Sequence, residues 1–457
     1  MKMKLFEPLR LKFEKPNWSS NPEFGLVDTI LEQHPELYGY VQADIVKGCK
    51  VSDFGRKDTP SIERIVRAAI YKELRQLDYR ELEYHQEDSR ICDQFLKIDG
   101  GRQYSFQMYQ KYISKIQADS LDELLVALNK IAIEEGLEDI NQLRQDSTVV
   151  ESDIHYPTNN SLVWDCIRES HRLLEKLDEE VKCVNYRDYL KGAKRTYFKI
   201  NNIKGPKSKD KREVLFQKQL ITFTKCINQV SNVIKKKQYC RSVAAIALIV
   251  ALEDLLPVME QVYDITERKE IKKESVPNED KIFSIYERHT DIIVKGGRKA
   301  QFGHKVNITT GKSNLILSCE ILQGNPSDSI LYKNTLDKVM SDYNVIPRDS
   351  VTDGGYASKD NQAYAMGKGV KNVVFNKIVG SLKNVTSSLA METRLKKWRS
   401  GIEANISNLK RGFDMFRCNW KGEKHFKAKV LWSAIGYNIR TMTAIVLERF
   451  ASPSLAR

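Results

Sequence analysis

The chain of 457 residues is too long for one ordinary core and predicts about two to four domains. Lysine and arginine number 74 against 60 aspartates and glutamates, so the formal net charge of +14 favours a polyanionic partner, with nucleic acid as the first candidate. The eight cysteines lack zinc-ligand spacing and the longest apolar run, Val243 to Leu252, is too short to span a bilayer, so we expect a cytoplasmic protein with reduced thiols and no membrane partner.

The first part of the chain has helical periodicity. We assign residues 1–59 to an N-terminal arm and residues 60–135 to a compact all-α domain, with Ser61 at the start of one helix and Asp78 to Glu87 as a second. A third helix, capped by Ser105, would carry four polar or basic side chains on one side: Gln107, Gln110, Lys111 and Lys115. This pattern resembles a helix-turn-helix reader of DNA. A three-helix bundle used for dimerisation is the alternative.

A strand is predicted where this periodicity ends. The β-branched stretch after Gln145 alternates in polarity through Ile154, so a strand would begin at Asp146. Helical signals return from about Ser161 to Arg268. We therefore assign residues 161–279 to a helical insertion.

Basic residues are concentrated in one segment of this insertion. Lys182 to Cys240 contains 16 lysines and arginines against 3 acidic residues, with tyrosines and phenylalanines between them. Such a mixture suits phosphate contacts and stacking on bases. The residues that we expect to bind DNA are Lys194, Arg195, Lys207, Lys209, Lys211 and Arg212. A solvated helical face is the alternative.

The last part of the chain alternates strands with helices. Strands are predicted near residues 292–294, 305–308, 315–322, 350–353 and 372–375, with a helix over 329–343. This alternation predicts a mixed α/β sheet, to which we assign residues 136–160 and 280–445. Asp146 and Asp353 would then lie on strands that can be neighbours in the sheet.

Three separated carboxylates form a candidate metal site. Asp146, Asp353 and Glu403 could hold two divalent ions, which clamp the attacking and leaving oxygens of a phosphodiester displacement. Arg399 and Lys410 would share a helix face with Glu403, while Ile402, Ile406, Leu409 and Phe413 pack on the sheet. Magnesium fits three carboxylates, and manganese should substitute. An ordinary amphipathic helix with an Arg399–Glu403 pair is the alternative.

Five motifs occur in a family's order: residues 145–158, 302–306, 324–328, 352–356 and Arg399-x3-Glu403-x6-Lys410. With them the chain resembles the DDE transposases of bacterial insertion sequences, in the branch with an InsH-like helical N-terminal domain. The resemblance implies a ribonuclease H-like α/β domain with a helical insertion. It further implies double-stranded DNA as substrate, a homodimer on DNA and association with the nucleoid. Related groups have a tyrosine where this chain has Lys396.

The resemblance also implies roles for single residues. Asp146, Asp353 and Glu403 would be the catalytic, metal-binding triad, while Arg399, Lys410 and Arg411 would contact DNA near the cut. Two other functions stay open from the sequence. One is a ribonuclease H-like nuclease or junction resolvase, and the other is a DNA-binding protein with a silent triad.

Overall fold

The computed structural model describes residues 18, 21–48, 59–98, 101–203, 205, 209–240, 242–294, 299–378 and 380–451. The chain divides into two compact units. One unit combines Met1–Asp153 with Ile293–Arg457, and the other is Ile154–Ile292. The second unit is therefore an insertion within the sequence of the first.

Helices form the first part of the first unit. They are α1 Pro22–Gln33, α2 Gly39–Val46, α3 Ile62–Arg75, α4 Tyr79–Asp88, α5 Arg90–Phe95, α6 Phe106–Ile113 and α7 Ala118–Glu134. The Ser61 hydroxyl accepts a hydrogen bond from the Arg64 N–H at 3.1 Å, and Asp78 forms a capping box with Glu81 at α4. The helix starts predicted at Ser61 and Asp78 are confirmed.

The start of the third helix is confirmed, because Ser105 is the N-cap residue of α6, although its side chain makes no capping hydrogen bond. The polar face predicted for this helix is wrong at Lys115. Lys115 lies beyond the end of α6, and its Nζ donates to the carbonyl oxygens of Ile45 and Lys47 at 3.2 and 3.0 Å. Lys115 thus binds the C-terminal end of α2 instead of joining a DNA-reading face. A helix-turn-helix function for this region stays a prediction.

The second unit is helical, as predicted from Ser161 to Arg268. Its helices are α8 Asn159–Val181, α9 Leu190–Asn202, α10 Lys209–Ile234 and α11 Val243–Thr266. Thr158 and Ser161 form a capping box that starts α8. Apolar side chains of α8, α10 and α11 share one core, in which Cys166, Phe223 and Leu252 are fully buried.

The sheet is mixed, as the sequence predicts. Its strands are β1 Gln142–Ser152, β2 Asp291–Ile293, β3 Gln301–Thr310, β4 Ile316–Ile321, β5 Asp349–Asp353, β6 Asn372–Asn376 and β7 Arg417–Cys418. The main order is β2-β3-β1-β5-β6, with β4 on β3 and β7 on β1. β3 is antiparallel to β1 and β4, whereas β1, β5 and β6 are parallel. This architecture is consistent with a ribonuclease H-like domain.

The sequence predicts that a strand begins at Asp146, and this prediction is wrong. β1 begins at Gln142, because residues from Gln142 to Gln145 pair in parallel with those from Asp349 to Thr352. Asp146 therefore lies inside β1. The residues before Asp146 are mostly polar and do not look like a strand in the sequence, but pairing with β5 makes them part of β1 and buries them in part.

The later helices pack around the sheet. They are α12 Asp328–Tyr343, α13 Lys359–Gly367, α14 Leu389–Arg399, α15 Gly401–Gly412 and α16 Glu423–Ala451. The single helix predicted to carry Arg399, Glu403 and Lys410 is wrong, because the helix breaks at Ser400. The predicted packing face holds in its main positions: Ile402, Leu409 and Phe413 are buried.

Two buried asparagines join the helices to the sheet. Asn438 of α16 donates to Asn129 and to the Ile316 carbonyl, both at 2.9 Å, and accepts from the Ile316 N–H at 2.9 Å. Asn129 of α7 donates to the Tyr343 hydroxyl at 2.9 Å. Both asparagines are fully buried. A hydrogen-bonded network of this kind specifies how α7 and α16 meet β4.

Among the described helices, α16 alone is long and apolar enough to cross a membrane. Its most apolar stretch is 67% buried inside the protein, and Trp432 and Ile435 belong to the main core. The core helix of a soluble protein passes the same test of length and composition.

Candidate active site

Two parallel strands bring two of the predicted carboxylates to the same edge. The registered pairing of β1 with β5 ends at Gln145 and Thr352, so Asp146 and Asp353 are the next residues on each strand. A tight turn follows Asp353. A Cβ on Gly354 would lie 2.5 Å from the carbonyl oxygen of Lys377, so this turn requires glycine.

Arg144 of β1 fixes the junction between α14 and α15. Its Nη1 donates to the Trp398 carbonyl at 2.6 Å, and its Nε donates to the Thr310 hydroxyl at 2.9 Å. The guanidinium also lies over the Trp398 ring at 4.7 Å from the centroid. Burial lowers the pKa of Arg144 to about 10. The residue that holds the junction therefore comes from the same strand as Asp146.

Arg399 contacts all three predicted carboxylates. Its Nη2 lies 2.7 Å from Asp146 Oδ2 and 3.9 Å from Asp353 Oδ2, while its Nη1 lies 3.2 Å from Glu403 Oε1. The Arg399 side chain is only 5% exposed, whereas that of Glu403 is 68% exposed. The structure thus brings Asp146, Asp353 and Glu403 around one guanidinium.

A second set of charges beside Asp146 was not assigned from the sequence. Asp146 accepts from the Ser147 N–H at 2.8 Å, and the Ser147 hydroxyl donates to Asp328 at 2.9 Å. Asp328 also pairs at 2.6 Å with Lys305, whose side chain is 4% exposed. The motif at residues 324–328 pointed to this place without giving Asp328 a role. Asp328 and Lys305 connect α12 and β3 to the strand that carries Asp146.

Tyr356 closes the buried side of this region. It follows Asp353 by three residues, and its hydroxyl donates to Asn307 Oδ1 at 2.9 Å. Burial raises the pKa of Tyr356 well above its ordinary value, and the charges of Asp328 and Asp146 raise it further. Tyr356 is therefore a neutral hydrogen-bond donor.

The donor set fits a divalent metal ion by its chemistry. Three carboxylates from β1, β5 and α15 face one cation, and carboxylate oxygens are the ligands that Mg²⁺ and Mn²⁺ prefer. In this structure the distances between the three carboxylates are set by their contacts with Arg399. Within the described part of the chain, no three His, Cys, Asp or Glu side chains are grouped closely enough to hold one ion.

Apart from Arg399, which is buried, the predicted DNA-binding residues that the structure describes lie on two surfaces, one in each unit. On α15, Arg411 is exposed and Lys410 Nζ lies 5.8 Å from the centre of the Phe416 ring. In the second unit the exposed basic residues are Lys194, Arg195, Lys209 and Lys211. Arg212 is less exposed, because its guanidinium lies 5.3 Å from the Phe216 ring centre and 3.9 Å from Glu270. Lys207 lies outside the described residues.

Comparison with known families gives one match, which covers the later part of the chain. Residues 286–439 match the family model of the transposase DDE domain. The match spans about a third of the chain and includes Asp353, Arg399 and Glu403, but not Asp146. It supports the resemblance to DDE transposases without separating the branch with an InsH-like N-terminal domain from other branches. Neither a curated protein nor a solved structure matches the chain.

Proposed function

We propose that the protein is a DDE transposase, which binds the terminal inverted repeats of an insertion sequence, cleaves DNA there and joins the freed end to target DNA. The observation that carries this proposal is the convergence of Asp146, Asp353 and Glu403 on Arg399. The match to the transposase DDE domain supports it over the part of the chain that holds two of these carboxylates.

The carboxylates would hold two divalent ions, Mg²⁺ or Mn²⁺. Such ions, when bound, activate a water and stabilise the departing 3′ oxygen. The protein's own residues would set the position of the scissile phosphate. Arg399, Lys410 and Arg411 would donate charge-assisted hydrogen bonds to the neighbouring DNA phosphates. Rigid strands hold Asp146 and Asp353, so little reorganisation is needed on that side of the site.

The second unit would contribute most of the contacts to the DNA backbone. Its α9 and the start of α10 carry exposed lysines and arginines, and Phe198 is 51% exposed between them. Cations bind phosphates, while an exposed aromatic ring can stack on a base. Two element ends must be held together during transposition, so we propose a homodimer on DNA.

The test is cleavage and strand transfer on a duplex that carries the terminal repeat of the protein's own element. Mg²⁺, Mn²⁺ and EDTA would be compared for the wild type, Asp353→Asn and Glu403→Gln. Asp360→Asn is the matched control, because Asp360 is 81% exposed and pairs with Lys333 on α12. We expect metal-dependent 3′ hydroxyl ends that only the two site variants abolish.

Each other outcome contradicts a specific part of the proposal. Cleavage without strand transfer would indicate a nuclease or resolvase. Binding without cleavage in any metal would indicate a DNA-binding protein with a silent triad. Full activity in Glu403→Gln would remove Glu403 from the site.

A further inference from the structure

One cation already lies among the carboxylates of the proposed metal site. The Arg399 guanidinium contacts Asp146 at 2.7 Å, Glu403 at 3.2 Å and Asp353 at 3.9 Å. Three carboxylates without a counter-charge would repel one another. Arg399 therefore stabilises the site in the absence of metal.

The same contacts use oxygen atoms that a metal ion would need. Asp146 Oδ2 and Glu403 Oε1 are each within hydrogen-bond distance of the guanidinium. A guanidinium and a divalent ion cannot both occupy the space between the same carboxylate oxygens. Binding of an ion must then move Arg399 away from at least one of its partners.

Two further features indicate that Arg399 can leave this position. Its Nε is buried without a hydrogen-bond partner, so the guanidinium is not fully satisfied where it lies. Arg399 is also the last residue of α14, and the helix breaks at Ser400 before Glu403 in α15. The two ends of the Arg399–Glu403 contact therefore belong to separate helices.

We propose that Arg399 is an internal counter-cation that competes with divalent metal for Asp146 and Glu403, and that a DNA phosphate relieves this competition by taking the guanidinium. This inference rests on the proposed function for the identity of the metal ligands. Because binding couplings are reciprocal, DNA raises the affinity for metal and metal raises the affinity for DNA. The free protein then binds metal weakly and assembles its site on DNA.

The test measures Mn²⁺ binding without DNA, and the electron paramagnetic resonance signal of free Mn²⁺ reports the binding. We expect Arg399→Gln to bind Mn²⁺ about tenfold more tightly than the wild type, which is within the usual range of coupling between sites. Arg394→Gln is the matched control. It removes the same charge from α14, but Arg394 is exposed and contacts Met391.

The second measurement compares the wild type with and without DNA, so its main result stands even if Arg399→Gln does not fold. A plain 20-base-pair duplex would be added, with Mn²⁺ binding by duplex alone subtracted. We expect the Mn²⁺ affinity of the protein to rise about tenfold with duplex, a rise that Arg399→Gln should lack.

The outcomes separate the two proposals. Equal or weaker Mn²⁺ binding in Arg399→Gln, or equal tightening in Arg394→Gln, would overturn the role of Arg399. An unchanged Mn²⁺ affinity of the wild type with duplex would overturn it independently. If Asp146→Asn and Glu403→Gln bind Mn²⁺ as tightly as the wild type does, the proposed metal site itself is wrong.

Discussion

The guanidinium of Arg144 lies against Gly401, so a side chain at position 401 would have to displace it. A Cβ on Gly401 would lie 2.5 Å from Arg144 Nη1, which is shorter than any ordinary contact. Arg144 meanwhile binds the Trp398 carbonyl, one residue before Arg399. A buried arginine on β1 and a glycine at the start of α15 therefore set where Arg399 and Glu403 lie relative to Asp146.

Gly401→Ala should displace the start of α15 and slow DNA cleavage about a hundredfold, since a shift of about 1 Å in a catalytic group has this effect. Overpacking should also lower the free energy of unfolding by about 1–3 kcal/mol. Gly412→Ala in the same helix is the control, because a Cβ there meets nothing within 4 Å. Cleavage assays and thermal melts would measure both. Equal behaviour of the two variants would contradict the close approach of Arg144.

The sequence was sufficient for elements whose signals are local. Helix starts at Ser61 and Asp78 follow from capping chemistry, and the strands that contain Val306 and Val351 follow from β-branched residues. It was insufficient where a long-range contact decides. The start of β1 at Gln142 depends on pairing with β5, which no local pattern reveals.

The candidate site shows the same division. Residue type and spacing selected Asp146, Asp353, Glu403 and Arg399, and the structure brings these four together. The sequence did not reveal that the helix breaks at Ser400, because the periodicity of apolar residues continues across the break. Nor did it assign Asp328, whose role depends on contacts with distant parts of the chain.

Asp328→Asn should destabilise the protein much more than Asp360→Asn. Both changes remove the carboxylate partner of a lysine, but Lys305 is 4% exposed whereas Lys333 is 33% exposed. An unpaired buried charge costs about 3–5 kcal/mol, while an exposed pair contributes about 0–1 kcal/mol. Urea unfolding at pH 7 would measure the difference. Similar losses in the two variants would contradict the structural role of the Lys305–Asp328 pair.

Glu73 should make stability depend on acid pH. It pairs with Lys429 at 2.7 Å and Lys72 at 3.2 Å, and all three are buried. Burial alone would raise the pKa of Glu73, but the two ammonium groups outweigh it and the pKa lies below its usual value. Its contribution is therefore complete above about pH 4.5 and is lost as the pH falls through the lowered pKa.

Glu73→Gln tests this linkage. The variant leaves two buried ammonium groups without a carboxylate, so we expect a loss of about 3–5 kcal/mol at neutral pH. The thermal midpoint of the wild type should fall between pH 5 and pH 3 more steeply than that of the variant. Parallel pH profiles would show that Glu73 does not carry the dependence.

His171 should weaken the second unit at mildly acid pH. Its Nε2 accepts a hydrogen bond from the Tyr189 N–H at 2.7 Å, so the ring must be neutral there. Burial lowers the pKa of His171, although Asp188 acts in the opposite direction. Folding thus favours the neutral ring, and its contribution to stability is complete above about pH 6.5 and declines as the pH falls through the lowered pKa.

Hydrogen exchange of α8 peptides at pH 7 and pH 5, corrected for intrinsic rates, should show more opening at pH 5. His171→Gln keeps an acceptor without a titrating group, so its protection should change less, and an equal change would assign the acid sensitivity to other groups.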